Sequence, residues 1–156
     1  MKDIQQKLIR LFKEGYCAPQ IGRIARETDE PAATIHYNIK KLEKAGIIRT
    51  YKAVFDYRKI DEGFCAYMLI ALSSSEYTAP ERIASQMARH NEVESVDILA
   101  GDWELLLKIR TKDQDEYFQF LKEVISKEKG IENTNSIISL KQVKTEFVQL
   151  SPLDSY

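Results

Sequence analysis

The sequence predicts an α+β chain of two domains, helical at its start and mixed strand and helix thereafter. Three observations carry that expectation. Apolar residues recur at helical spacing through the first third, strand-like alternation begins only near residue 50, and the charge balance changes sign at the same place. The 156 residues are 44% apolar, 30% charged and 10% aromatic, enough for one compact core or two small ones in contact. A disordered tail or a fibre is thereby excluded. Residues 1–50 hold ten Lys/Arg against six Asp/Glu, and residues 51–156 hold 13 against 18, so a surplus of +4 precedes a deficit of −5. A basic first third joined to an acidic remainder points to a polyanionic partner for the first third alone.

In the first third, Ile4, Leu8, Leu11 and Phe12 repeat at helical spacing and stop near Gly15, where a C-terminal glycine ends a helix. A second helix is expected to begin with Pro19, whose missing N–H is harmless in a first turn, and to turn Ile21, Ile24 and Ala25 inward. Thr28, Asp29 and Glu30 break it. Pro31 opens a third helix, in which Ile35, Ile39 and Leu42 share one face until Gly46. Three short helices with a tight turn between the last two make residues 1–48 a helix-turn-helix domain.

Across residues 49–56, Tyr51, Ala53 and Phe55 alternate with Thr50, Lys52 and Val54. This suits an extended strand that gives the helical domain a winged type and starts a linker over 49–62. Phe64–Leu72 reads as a buried strand, and Ile83, Ala84, Met87 and Ala88 mark a helix after Pro80. A strand over 95–100 and another over 105–110 follow, with Gly101-Asp102 at the turn. Tyr117, Phe118, Leu121, Val124 and Ile125 give an amphipathic helix closed by Gly130, and a last strand is expected over 134–144. The order βαββαβ over residues 63–144 is the ferredoxin-like arrangement, with helices on one face of an antiparallel sheet. A second subunit is the simplest cover for the other face. Residues 145–156 form a C-terminal tail.

The residue inventory excludes several classes of function. The longest apolar run, Phe64–Leu72, has nine residues and falls short of the roughly 18 needed to span a bilayer. No charged-apolar-small leader opens the sequence, so a soluble cytoplasmic protein without a membrane partner is expected. Cys17 and Cys65 stand apart from any ligand spacing and suit small core positions; neither a metal nor a cofactor is indicated. The histidines are His36 and His90, and no nucleophile-base set, catalytic carboxylate pair or phosphate-binding loop accompanies them, so no enzyme is expected.

Helix geometry selects the face for a polyanion. Turning Ile35, Ile39 and Leu42 inward at about 100° per residue sends Ala33, Tyr37, Lys40 and Lys44 outward, with His36 and Lys41 at the edges. Ala32 and Ala33 permit close approach and contact with a thymine methyl, while Thr34, His36 and Tyr37 can hydrogen-bond bases or phosphates. Lys40, Lys41 and Lys44 can neutralise phosphates of double-stranded DNA. On charge alone an ordinary solvated lysine face is the simpler reading.

The stretch Pro31-Ala32-Ala33-Thr34-Ile35-His36-Tyr37-Asn38-Ile39-Lys40-Lys41-Leu42-Glu43-Lys44-Ala45-Gly46-Ile47-Ile48 resembles the recognition helix of the Lrp/AsnC family of prokaryotic transcription regulators. Gly101-Asp102-Trp103-Glu104-Leu105 is similar to that family's Gly-Asp-aromatic-Asp turn, and Gly130 to Ile138 resembles its approach to the last strand. The resemblance covers nearly the whole chain. It implies a DNA-binding domain followed by an oligomerisation domain, hence a homodimer at least, with an amino-acid effector bound between subunits near the Gly-Asp-aromatic turn. Such a ligand needs a carboxylate for its ammonium, donors for its carboxylate and a pocket for its side chain. Asp102 or Glu104 can supply the first, Gly101 backbone with Thr134 and Ser136 hydroxyls the second, and Trp103 part of the third. Trp103 equally suits an interface anchor, and Thr134 and Ser136 equally suit local backbone bonds.

Three positions depart from the family pattern. Glu30 stands where a capping Ser is usual, Asn38 where a basic residue is usual, and Glu104 where Asp is usual. Two other readings belong to different classes: an architectural DNA-binding protein without a ligand, and a siroheme-decarboxylase-like enzyme. The second shares the two-domain order but carries a His- and Tyr-rich segment where this chain has Ala100-Gly101-Asp102-Trp103-Glu104.

Overall fold

The computed structural model describes residues 3–144, which fall into one unit ending at Val54 and a second beginning at Phe55. The tail over 145–156 lies outside the described residues.

The first unit is three helices, α1 (Asp3–Lys13), α2 (Ile21–Thr28) and α3 (Ala32–Lys44). α2 begins two residues later than its proline suggested, because the Pro19 carbonyl accepts the Ile21 N–H at 3.0 Å in a turn that precedes the helix. Asp29 ends α2 in the left-handed region, at φ 54°, and its N–H returns to the Ala25 carbonyl. α3 ends through Gly46, whose φ of +71° lets the Ile47 N–H reach the Leu42 carbonyl at 3.0 Å. No side chain caps α3 at its start, where Pro31 stands at the N-cap. Ile21, Ile24, Ala25, Ile35 and Ile39 are only half-buried, and Ile4, Leu8, Leu11 and Phe12 of α1 are exposed. A unit this small has too little interior to enclose its apolar stripes.

The strand expected over residues 49–56 is not one. Among the described residues no segment pairs with it, and without a ladder there is no sheet; no wing of paired strands accompanies the three helices among the described residues. A 3-10 turn, Tyr57–Ile60, follows it.

The second unit has the expected order: β1 (Phe64–Leu72), α4 (Glu81–Met87), β2 (Val93–Ile98), β3 (Leu105–Thr111), α5 (Gln114–Glu123) and β4 (Ile131–Ile138). The strands lie in the order β2-β3-β1-β4, with every neighbouring pair antiparallel. Strand alternation decides what is inside. Ala66, Met68 and Ile70 of β1 stand opposite Ile109, Leu107 and Leu105 of β3, and all six are fully buried beneath Ile83 and Met87 of α4 and Tyr117 and Phe120 of α5. The face turned away from α4 and α5 holds Tyr67, Leu69 and Leu106, all half-buried. α5 starts on Asp113, whose carboxylate accepts the Glu116 N–H at 2.9 Å.

β4 runs over 131–138 rather than 134–144. Its partner sets both limits: Ile131 already stands opposite Leu72, and the last pair, Ala66 with Ile138, lies near the start of β1. Beyond it the ladder runs out. β2 likewise begins at Val93, opposite Ile109, and ends at Ile98 rather than Ala100.

Candidate DNA-binding and effector sites

Within the first unit, α3 presents most of the face that its periodicity requires, but Leu42, expected inward with Ile35 and Ile39, is 39% exposed, because so small a unit has too little interior to enclose the last turn. Ile35 and Ile39 turn inward, while Ala32, Ala33, Thr34, His36, Lys40, Lys41 and Lys44 are exposed, and Tyr37 is 68% exposed. Asn38 is also exposed, and its side-chain amide donates to the Thr34 carbonyl at 2.9 Å, spending one donor within the helix. The lysines differ in their surroundings. Lys40 Nζ lies 2.7 Å from Glu43 Oε2, and Glu43 Oε1 accepts the Tyr51 hydroxyl at 3.2 Å.

In the second unit, Gly101, Asp102 and Trp103 form the turn between β2 and β3. Gly101 has φ +138°, a conformation side chains rarely adopt, with open space around its α-carbon. Gly101 and Asp102 are exposed and Trp103 is half-buried. Glu104 is engaged: its Oε2 accepts the Leu72 N–H at 2.7 Å, where the pairing of β1 with β4 slips register. Thr134 stands opposite Ile70, which in turn stands opposite Leu105, so Thr134 sits at the same end of the sheet as Glu104. Ser136 lies one pleat further along, opposite Met68, and its hydroxyl is 2.6 Å from the Tyr117 hydroxyl of α5. The structure thus brings Gly101 to Glu104 and Thr134 to one end of the sheet, and gives Ser136 to a contact beneath the helices.

Residues 65–148 match the Lrp/AsnC ligand binding domain. The chain belongs to the Lrp/AsnC family. Its relatives include the HTH-type transcriptional regulator FL11 of Pyrococcus horikoshii, 30% identical over 92% of each chain, and FL11 of Pyrococcus abyssi, 31% identical over the same shares. Solved structures of the same fold include an AsnC family transcriptional regulator from Agrobacterium tumefaciens, with a TM-score of 0.73 at 22% identity over 96% of this chain and 97% of that one. A transcriptional regulator from Neisseria meningitidis, in complex with L-Met, has a TM-score of 0.70 at 21% identity over 93% of each chain. This Lrp/AsnC protein is a DNA-binding transcription regulator. Among its described residues, no helix is long and apolar enough to cross a membrane.

Periodicity and motif did not single out two groups of this Lrp/AsnC chain. Glu43 and Tyr51 beside Lys40 form the first; the three-residue offset of Glu43 from Lys40 is a readable signal, whereas Tyr51 carries none. The second gathers on the face of the sheet turned away from α4 and α5. Arg110, with a side chain only 7% exposed, donates from Nε to Glu94 at 2.9 Å and from Nη2 to Gln142 at 3.0 Å, and its guanidinium lies 3.7 Å over the Tyr57 ring. Lys108 Nζ donates to the other oxygen of Glu94 at 2.7 Å. Burial pushes the Glu94 carboxyl upward, but the hydrogen bonds and charges of Lys108 and Arg110 outweigh it and hold the group below its ordinary value. These contacts fasten the segments before β1 and after β4 onto the sheet.

Proposed function

We propose that this regulator reads DNA sequence with the outward face of α3, as a homodimer or larger assembly, and that an amino acid bound at the β2–β3 end of the sheet modulates it. The exposure of Tyr37 and its neighbouring lysines on one helix face is the single observation that carries the reading. Ala32, Ala33 and Tyr37 meet base edges, Thr34 and His36 bases or phosphates, and Lys41 and Lys44 the backbone. Two copies place two such helices on half-sites about one helical turn apart, or a multiple of it.

For the effector, Asp102 is the carboxylate left to receive an ammonium group, since Glu104 already accepts a backbone N–H. Gly101 offers backbone N–H and the Thr134 hydroxyl a second donor, and Trp103 closes the apolar side. A relative of the same fold is in complex with L-Met, which favours an amino acid over other small molecules. The protein works in the cytoplasm and catalyses no reaction. The test is a selection of bound fragments from genomic DNA across a salt series, with and without the common amino acids. A few enriched palindromic sites whose recovery changes with one amino acid are expected. Fragments recovered without sequence preference would replace this reading with architectural binding, and an amino-acid-independent set would remove the effector.

A further inference from the structure

The three lysines on the outward side of α3 are electrostatically unequal. Lys40 is paired with Glu43 at 2.7 Å, whereas Lys41 and Lys44 have no ion pair among the described residues. An exposed pair one turn apart is ordinarily weak and exchanges readily with water. This one differs in its carboxylate. The Glu43 side chain is 28% exposed against 61% for Lys40, and the Tyr51 hydroxyl donates to its other oxygen at 3.2 Å, so a second contact holds the acid in place. A carboxylate held in contact with an ammonium cancels most of its field at the distance of an approaching phosphate.

We propose that Glu43, pinned by Tyr51, is a positioning residue that withholds the Lys40 charge from the DNA backbone. The phosphate attraction of α3 then rests on Lys41 and Lys44. This inference depends on the reading of α3 as the DNA-binding helix and specifies how that helix sets its affinity. The hydrogen bond from Lys40 holds the Glu43 carboxyl below its ordinary value, and the same bond raises Lys40, so both stay ionised at neutral pH. The consequence concerns discrimination. Backbone attraction is shared by every sequence, so muting one lysine lowers non-specific binding and leaves a larger share of the total to base contacts.

The test uses the full chain and a labelled mixed-sequence DNA duplex, with affinity followed by anisotropy over a salt series. The proteins are the wild type, Glu43→Gln, Lys40→Ala, the double variant of these two and Tyr51→Phe. Glutamine keeps the size of the side chain and an acceptor for Tyr51. Glu43→Gln is expected to bind several-fold more tightly at low salt, with a log-log salt slope steeper by about 0.9. Lys40→Ala should flatten the slope by about 0.9 in the Glu43→Gln background and far less in the wild type. Equal flattening in both backgrounds overturns the proposal. A Tyr51→Phe slope equal to that of the wild type overturns the part given to Tyr51. If the wild type binds no duplex at any salt, the DNA-binding reading of α3 fails first and carries this inference with it. A circular dichroism melt of each variant accompanies the series, because a loss of helix alone does not produce a steeper slope.

Discussion

Tyr37 is a large aromatic side chain left 68% exposed at the middle of α3, where an ordinary solvated helix would place a charged or small residue. Its fold contribution is correspondingly small, since surface substitutions usually move stability by no more than about 0.5 kcal/mol. Tyr37→Ala is therefore expected to leave the melting temperature unchanged and to weaken binding to a selected operator by about 1–3 kcal/mol relative to a scrambled duplex. Competition between the two duplexes measures it. Side-chain direction over most of α3 was legible in the sequence because the inward positions of Ile35 and Ile39 fix the azimuth of their neighbours; Leu42, expected beside them, is exposed in the last turn. Contacts between side chains were not. The bond from Tyr51 to Glu43 joins a helix to the segment after it, and no period encodes where that segment passes. The engagement of Glu104 escaped for a similar reason: it answers a register slip in β1, which sequence alternation does not reveal.

Among the elements, β1 and α3 came out nearest to their expected limits, whereas α5 ends at Glu123 although its apolar period runs on through Ile125 toward Gly130. β1 is the apolar run itself, and α3 stops before Gly46. Ends set by pairing did not. β4 is shifted because the length of β1 bounds it, and residues 49–56 alternate like a strand but find no partner among the described residues. The fastening of the segments before β1 and after β4 to the sheet through Arg110 likewise carries no sequence signal, because Glu94, Tyr57 and Gln142 are far apart in sequence. Removing that guanidinium in Arg110→Ala is expected to cost about 2 kcal/mol, through hydrogen bonds to a charged group and the packing over Tyr57. Chemical denaturation measures the loss. The same cluster has a pH signature. Because Glu94 is held below its ordinary value of 4.5, its stabilising contribution is complete above that value and is lost as the pH falls from there through the lower folded value. The melting temperature of the wild type should accordingly fall more steeply below that pH than that of Arg110→Ala.

At the scale of the molecule, the change in charge sign near residue 50 coincides with the boundary between the two units, after Val54. The helical unit carries the positive surplus that a polyanion requires, and the sheet unit carries the deficit. The sheet unit also has a face turned away from α4 and α5, with half-buried Tyr67, Leu69 and Leu106 at its centre, which is the surface expected to close against a second copy. Leu106→Glu is expected to reduce the assembly to monomers in sedimentation velocity, and with it the affinity for a palindromic site; an unchanged sedimentation coefficient would move the interface elsewhere. The central claim is that the outward face of α3 is what meets DNA. Its most direct test is the salt dependence of duplex binding by Lys41→Ala/Lys44→Ala beside the wild type. The account predicts weaker binding with a slope flattened by roughly 1.8 per helix, two phosphate contacts at about 0.9 each. An unaltered slope at unaltered affinity would contradict it and place the DNA against another surface of the chain.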